Sequence, residues 1–464
     1  KVHARTKPTK KCENNYIAGL QTKTIKKYRS GRSKRTRNTM CQMSHPKQQQ
    51  TETPSIGQST PSAIPKPRVT SVKILSIGII SYVLATVSPA LLLVVAAVLS
   101  ISLPYAFREN DDGESRRRLW MEFEKRDDLP EEMKCQDVDF EETYWVNQRG
   151  MCLLTATMAP KNNGPIRGVI CLCHGYMDNV SFLKRVEYQR FVKQGFAVVM
   201  IEYEGHGRSD GPNALISNWE NLLKDVQGYF DNVTRTKYPG KKKFLMGESM
   251  GGAVAFDLMS RYKKDYAGVI FVCPMCKIMN VPPKIVVDLF EFISGAPGTV
   301  NSFNVMPIAP SKGNIPELSF KVKEKMYLAT SAPSAFGRKP RLATARELLV
   351  SFLGECELCD YACSMMNNLF YWMHHVEKKT TRQNTTKRIS ASICKFDAPF
   401  IVLHGLEDMI TCPQISEELY KESPSKDKEI KLYKGMYHNL TCGETDENVD
   451  TVFNDAINWA IARS

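Results

Sequence analysis

Downstream of residue 135, short apolar runs alternate with longer stretches in which apolar positions recur every three or four residues. The apolar runs lie at 167–175, 196–205, 242–248, 266–274, 398–405 and 428–435. Helical periodicity marks 181–195, 218–233, 251–264 and 447–462, and an acidic–basic helical connector precedes them at about 109–135. Near-continuous apolar strands suit a parallel sheet covered on both faces. Strand–helix alternation predicts a doubly wound, mostly parallel α/β sheet. The rhythm lapses between Met275 and Phe396, about 120 residues where a crossover needs only a dozen or so. That interval predicts an inserted helical cap or lid over about 275–396. Its first helix, 285–295, is apolar on most of its circumference and either packs into the cap core or lines an apolar channel.

Charge changes the picture only at the N-terminus. The whole chain of 464 residues carries a formal charge of +14. Residues 1–72 hold 16 of the 63 Lys/Arg and 2 of the 49 acidic residues, so the remainder is neutral. A tail this polar cannot bury a core and is expected to be disordered. The neutral remainder argues against a nucleic-acid-binding protein. From Ile74 to Phe107 no residue is charged, a run of 34, where about 20 suffice to span a bilayer as a helix. The expected organisation is therefore a basic tail (1–72), a membrane-embedded segment (73–108) and one catalytic domain (109–464). It implies a single-pass protein of an endomembrane, with Pro89 kinking the span.

The first chemical signal is "KKFLMGESMGGAVAF" at 242–256, a G-x-S-x-G sequence centred on Ser249 at a strand-to-helix junction. A serine hydroxyl needs a base, and the base needs an orienting acid. Asp408, in "IVLHGLEDMI", follows one apolar strand, and His438, in "LYKGMYHNL", follows the last. The order Ser, Asp, His, each beyond a strand's C-terminal end, is that of an α/β-hydrolase sheet. Ser249 is thus the expected nucleophile, with Gly247 and Gly251 as the small neighbours a tight elbow tolerates. The Met250 N–H, at a helix start, is one expected oxyanion donor. Tyr176, in "LCHGYMDN", offers its backbone N–H as the second.

The motifs "HGYMD", "EYEGHGRSDG", "GESMGG", "CPMCKI", "GRKPRLATARELL", "FIVLHGLEDMITCP" and "KLYKGMYHNLTCGETDENVDTVFNDAINW" resemble the monoglyceride lipase/lysophospholipase branch of the α/β hydrolases. Plant-type, caffeoylshikimate-esterase-like members are the nearest in pattern. The resemblance covers about 115–462 and implies Ser249, Asp408 and His438 as the triad, with Tyr176 and Met250 at the oxyanion. It implies hydrolysis of monoacylglycerols, lysophospholipids or similar acyl esters, without metal or cofactor. The same triad serves an acyltransferase working on lysolipid or alcohol acceptors, or a hydroxycinnamate-type esterase; a non-catalytic receptor on a hydrolase fold is the remaining alternative. Met177 stands where the plant-type pattern has glycine, and is expected to reshape the pocket mouth. Residues 353–388 form an insertion within the cap. Its Cys356, Cys359, Cys363, His374 and His375 lack the paired spacing of a zinc site. Cys171 and Cys173, two apart in an apolar run, read as core hydrophobes on one strand face.

Overall fold

The computed structural model describes residues 112–161, 164–180, 182–276, 315–333, 340–349, 389 and 392–464. The tail, the apolar segment at 74–107, the helix expected at 285–295 and the insertion at 353–388 lie outside the described residues. Among the described residues no helix is long and apolar enough to cross a membrane.

Helix α1 (Gly113–Phe123) opens on Asp112, whose carboxylate accepts the Ser115 N–H at 2.7 Å, a standard N-cap. A hairpin of β1 (Val138–Val146) and β2 (Cys152–Pro160) follows, then β3 (Gly168–Cys173). Two short helices, α2 (Leu183–Glu187) and α3 (Gln189–Lys193), lead to β4 (Phe196–Ile201). The next pairs are α4 (Trp219–Lys237) with β5 (Lys243–Glu248), and α5 (Met250–Arg261) with β6 (Gly268–Val272). Helices α6 (Ile315–Ser319), α7 (Lys323–Ser331) and α8 (Leu342–Leu349) belong to the long interval before β7 (Phe400–Gly405). The chain closes with α9 (Pro413–Glu422), β8 (Lys428–Tyr433) and α10 (Asp446–Ile461).

Among the described residues the strands form one eight-stranded sheet, ordered β1-β2-β4-β3-β5-β6-β7-β8. β1–β2 and β2–β4 pair antiparallel, and every other pair is parallel. This is the α/β-hydrolase sheet. Alternate residues of each central strand feed opposite faces. Val169, Cys171 and Cys173 pack toward α4 and α5, while Ile170 and Leu172 pack toward α3 and α10. Both cysteines are fully buried, and burial pushes the Cys171 thiol up to about 12. Because both faces are covered, the strands read as continuous apolar runs.

Two elements differ from the sequence expectation. The β1–β2 hairpin was not anticipated beyond the connector: β1 is a sheet edge with mixed burial, and its charged residues (Asp139, Glu141, Glu142) conceal the apolar signal. The single helix expected at 181–195 is two, parted at Tyr188, whose fully buried ring sends its hydroxyl to Glu248 at 2.6 Å.

The chain leaves β3 for β4 on one side and returns to β5 on the other. Loops at the carboxyl ends of strands flanking such a reversal diverge and leave a crevice. The loop after β3 and the turn after β5 border that crevice here.

Candidate functional site

Ser249 sits between β5 and α5 with φ 53° and ψ −118°, a strained backbone for a residue with a side chain. Its N–H donates to Val272 O at 3.0 Å, and its carbonyl accepts from Gly252 and Met275, both at 2.9 Å. The turn is closed by glycines for a steric reason. A Cβ on Gly247 would stand 2.4 Å from Gly251 O, and one on Gly251 only 1.9 Å from Cys173 O. Met250 begins α5. Among the described residues neither the Met250 nor the Tyr176 N–H donates to a protein acceptor, so both remain available to an external one.

Asp408 is buried beyond the end of β7, and His438 is part-buried beyond β8, with His438 Nδ1 to Asp408 Oδ2 at 2.7 Å. Three further supports were not legible in the sequence. Thr411 Oγ1 donates to Asp408 Oδ2 at 2.7 Å, and His404 Nε2 lies 3.1 Å from the same oxygen. The Ile410 and Thr411 N–H groups donate to Asp408 Oδ1 at 2.7 and 3.0 Å. Burial alone would raise the Asp408 pKa. The His438 charge and the hydrogen bonds from His404 and His438 outweigh it and hold the carboxyl well below the usual carboxylate range. The "HG" that opens "HGLED" marks a tight turn: a Cβ on Gly405 would stand 2.4 Å from Met436 O.

The strand register brings these groups together. Glu248 pairs with Val272, Val272 with Leu403, and Gly405 with Tyr433, so the residues following β5, β7 and β8 emerge along one end of the sheet. Cys273 is the hub between them. Its N–H donates to Leu403 O at 2.9 Å, its carbonyl lies 3.1 Å from Thr411 Oγ1, and it directly follows the partner of Ser249. Among the described residues no hydrogen bond joins Ser249 Oγ to His438; such contacts are commonly long before substrate binds. The ligand atoms of Cys273, Asp408 and His438 lie within 4.8 Å of one another. The group is nonetheless poorly suited to a metal. Burial, then the Asp408 charge, pushes the Cys273 thiol well up, and both Asp408 oxygens already serve donors.

The loop after β3 approaches the elbow closely, a Cβ built on Gly175 falling 3.5 Å from Ser249 Cβ. His174 is fully buried and neutral. Its Nδ1–H donates to Gly175 O at 2.8 Å and its Nε2 accepts the Tyr203 N–H at 3.2 Å, while burial pushes its pKa down to about 3. The Tyr176 hydroxyl donates to Ala214 O at 2.8 Å. Met177 directly follows Tyr176 on this loop. Its φ is 61°, the left-handed conformation a glycine adopts freely, and its side chain is buried against Ala214 and Tyr176. The chain keeps the glycine backbone at this position and adds a packing contact.

Relatives accord with this architecture. Caffeoylshikimate esterase of Arabidopsis thaliana is 28% identical over 71% of this chain and 89% of its own length. Monoglyceride lipase of Homo sapiens is 23% identical over 72% of this chain and 94% of its own. A solved soluble variant of monoglyceride lipase from Saccharomyces cerevisiae, in complex with a substrate analog, superposes with a TM-score of 0.50 at 20% identity. It covers 70% of this chain and 96% of that one, a likeness of fold. The family described as Hydrolase_4 (serine aminopeptidase, S33) matches residues 164–352 and 378–446, more than half of the sequence, and the chain belongs to that family.

Proposed function

We propose that the chain is a serine carboxylic-ester hydrolase acting on monoacylglycerols, lysophospholipids or similar acyl esters. One observation carries the reading: a buried, multiply hydrogen-bonded carboxylate holds a part-exposed histidine at 2.7 Å, at the end of the sheet where a strained serine sits beside two unused N–H groups. His438 Nε2 takes the Ser249 proton as Oγ attacks the ester carbonyl. Asp408 keeps the Nδ1–H in place and stabilises the imidazolium. The tetrahedral oxyanion accepts the Met250 and Tyr176 N–H groups. Its collapse returns the proton to the leaving alcohol and leaves an acyl-Ser249 ester. Water, deprotonated by the same imidazole, then releases the acid. No cofactor enters these steps.

The substrate class follows the relatives' names and the apolar residues beside the site: Leu406 and Met409, flanking Asp408, are 44% and 58% exposed. The charge-free run at 74–107 would hold the enzyme beside substrates dissolved in a bilayer. A fluorophosphonate should label Ser249, and Ser249→Ala should abolish labelling and lower turnover about 10⁴-fold or more. Label on a different serine refutes the assignment. Purified protein profiled against long-chain monoacylglycerol, lysophospholipid, hydroxycinnamate esters and an aminoacyl amide fixes the class. Preference for the amide would overturn the ester reading. Product analysis with added lysolipid separates hydrolysis from acyl transfer, and full-length chain released by carbonate would refute the anchor.

A further inference from the structure

Behind the Ser249 elbow lies a buried polar cluster that none of the steps above uses. Its centre is Lys184 of α2, with 1% of its surface exposed. The ammonium pairs with Glu248 Oε2, stands 3.4 Å from Asp178 Oδ2 and donates to Thr441 Oγ1 at 3.3 Å. Thr441 in turn donates to Glu248 Oε1 at 2.7 Å, and the Tyr188 hydroxyl donates to the same oxygen at 2.6 Å. Burial would lower the Lys184 pKa, but the Asp178 and Glu248 charges raise it well above the ordinary value, so the ammonium stays charged.

These contacts fall on three separate segments, the end of β5 and two loops. Glu248 directly precedes Ser249. Asp178 is two residues beyond Tyr176, on the loop after β3. Thr441 is three residues beyond His438, on the loop after β8. One cation is thus tied to the nucleophile turn, the oxyanion loop and the histidine loop at once, across sequence separations of 64 and 257 residues. An ordinary structural ion pair joins two elements and can be replaced by apolar packing. Here the pair sits in a network whose members hold one another in a dry environment, where each bond is strong and each loss severe.

We propose that Lys184 is a positioning residue for the reaction, acting with Glu248 and Thr441 to fix Ser249, the Tyr176 N–H and His438 relative to one another. The inference rests on the serine-hydrolase reading above. Small misplacements of reacting groups cost rate steeply, about 10²-fold for 1 Å, so loss of the cation acts on chemistry more than on substrate binding.

The test is active-site titration with a fluorophosphonate, combined with kcat and KM on a soluble aryl ester, for Lys184→Met and Thr441→Val. Expected for Lys184→Met is one labelled Ser249 per chain, a labelling rate and kcat about 30-fold or more below wild type, and KM within threefold. Thr441→Val removes only the hydroxyl link and should slow both rates threefold or more at unchanged stoichiometry. A merely structural role instead lowers the titratable fraction and leaves the rate per active site unchanged, which overturns the proposal. If Lys184→Met does not fold, Thr441→Val decides alone, and a slowing of less than threefold overturns it. Failure of the wild-type protein to label at Ser249 would refute the hydrolase reading itself, a result distinguishable from both.

Discussion

Asp408→Asn isolates the orienting carboxylate without changing its shape. The Ile410 and Thr411 N–H groups at 2.7 and 3.0 Å from Oδ1 require an acceptor there, so the asparagine oxygen must take that place. Its NH₂ group then replaces Oδ2, where His438 Nδ1 stands at 2.7 Å, Thr411 Oγ1 at 2.7 Å and His404 Nε2 at 3.1 Å. A donor now faces three donors. Thr411 can rotate its hydroxyl toward Cys273 O, already 3.1 Å away, and His404 can change tautomer against Ser416 Oγ at 2.7 Å. His438 can keep a hydrogen bond only by presenting a bare Nδ1, which moves its proton to Nε2. The lone pair that would take the Ser249 proton is then lost. In an established serine hydrolase this wrong-tautomer substitution lowers kcat about 10⁴-fold, worth about 5.5 kcal/mol of transition-state stabilisation. The assay is kcat on a soluble ester together with the fluorophosphonate labelling rate, on protein whose fold is verified by circular dichroism. A folded Asp408→Asn variant within tenfold of wild type would refute the roles assigned to both Asp408 and His438.

Ser249→Gly should inactivate the enzyme yet stabilise it by about 1 kcal/mol, because glycine adopts the positive φ without strain; a lowered melting temperature refutes the strain. The depressed Asp408 pKa makes a pH prediction. Its stabilising contribution is present above the unfolded value of about 3.9 and is lost as pH falls through the lower folded value. The stability difference between wild type and Asp408→Asn should therefore be flat from neutral pH to about 5 and shrink below 4. A difference that shrinks between pH 7 and 6 would contradict the burial and bonding of the carboxylate. Arg116, fully buried on α1, donates to Gly207 O and Gly211 O at 2.8 and 3.0 Å and also to Ser209 O. Arg116→Met leaves those carbonyls short of donors and should destabilise by about 3 kcal/mol, read by urea denaturation; a loss under about 1 kcal/mol would refute the clamp.

The candidate site was legible because each of its three principal residues lies within a few positions of a strand end that apolar runs mark. Ser249 is bracketed by glycines whose necessity is steric, since a Cβ on either would stand 1.9 to 2.4 Å from a backbone oxygen, so even the spacing has a cause. What escaped the sequence depends on contacts across the chain. His404 looks like one more residue of an apolar strand, and Thr411 like an ordinary loop residue, until the fold turns both toward one carboxylate oxygen. Lys184 reads as one more charge on an amphipathic helix, since Glu248 and Thr441 lie 64 and 257 residues away. Met177 shows the converse limit: residue identity announces bulk, but only the backbone reveals that the bulk points into packing at a left-handed position.

The described parts of the insertion touch both the loop bearing Tyr176 and the loop bearing His438. Thr344 of α8 accepts the Ile216 N–H at 2.9 Å and donates to Ala214 O at 3.0 Å, the carbonyl that also holds the Tyr176 hydroxyl. At the other side, the Asn439 N–H donates to Ser319 O at 2.9 Å, and the Lys321 and Val322 N–H groups donate to Gly443 O, each at 3.0 Å. Phe320, Met326 and Cys442 bury that junction. One arm of the insertion thus grips the residue bonded to Tyr176, and the other grips the residue after His438. A displacement of α8 moves Ala214 and, through it, the loop bearing the Tyr176 N–H; a displacement of α6 moves the backbone beside His438. The described helices of the insertion and the groups proposed for catalysis share hydrogen bonds, so a shift of those helices would act on the proposed oxyanion and base geometry together.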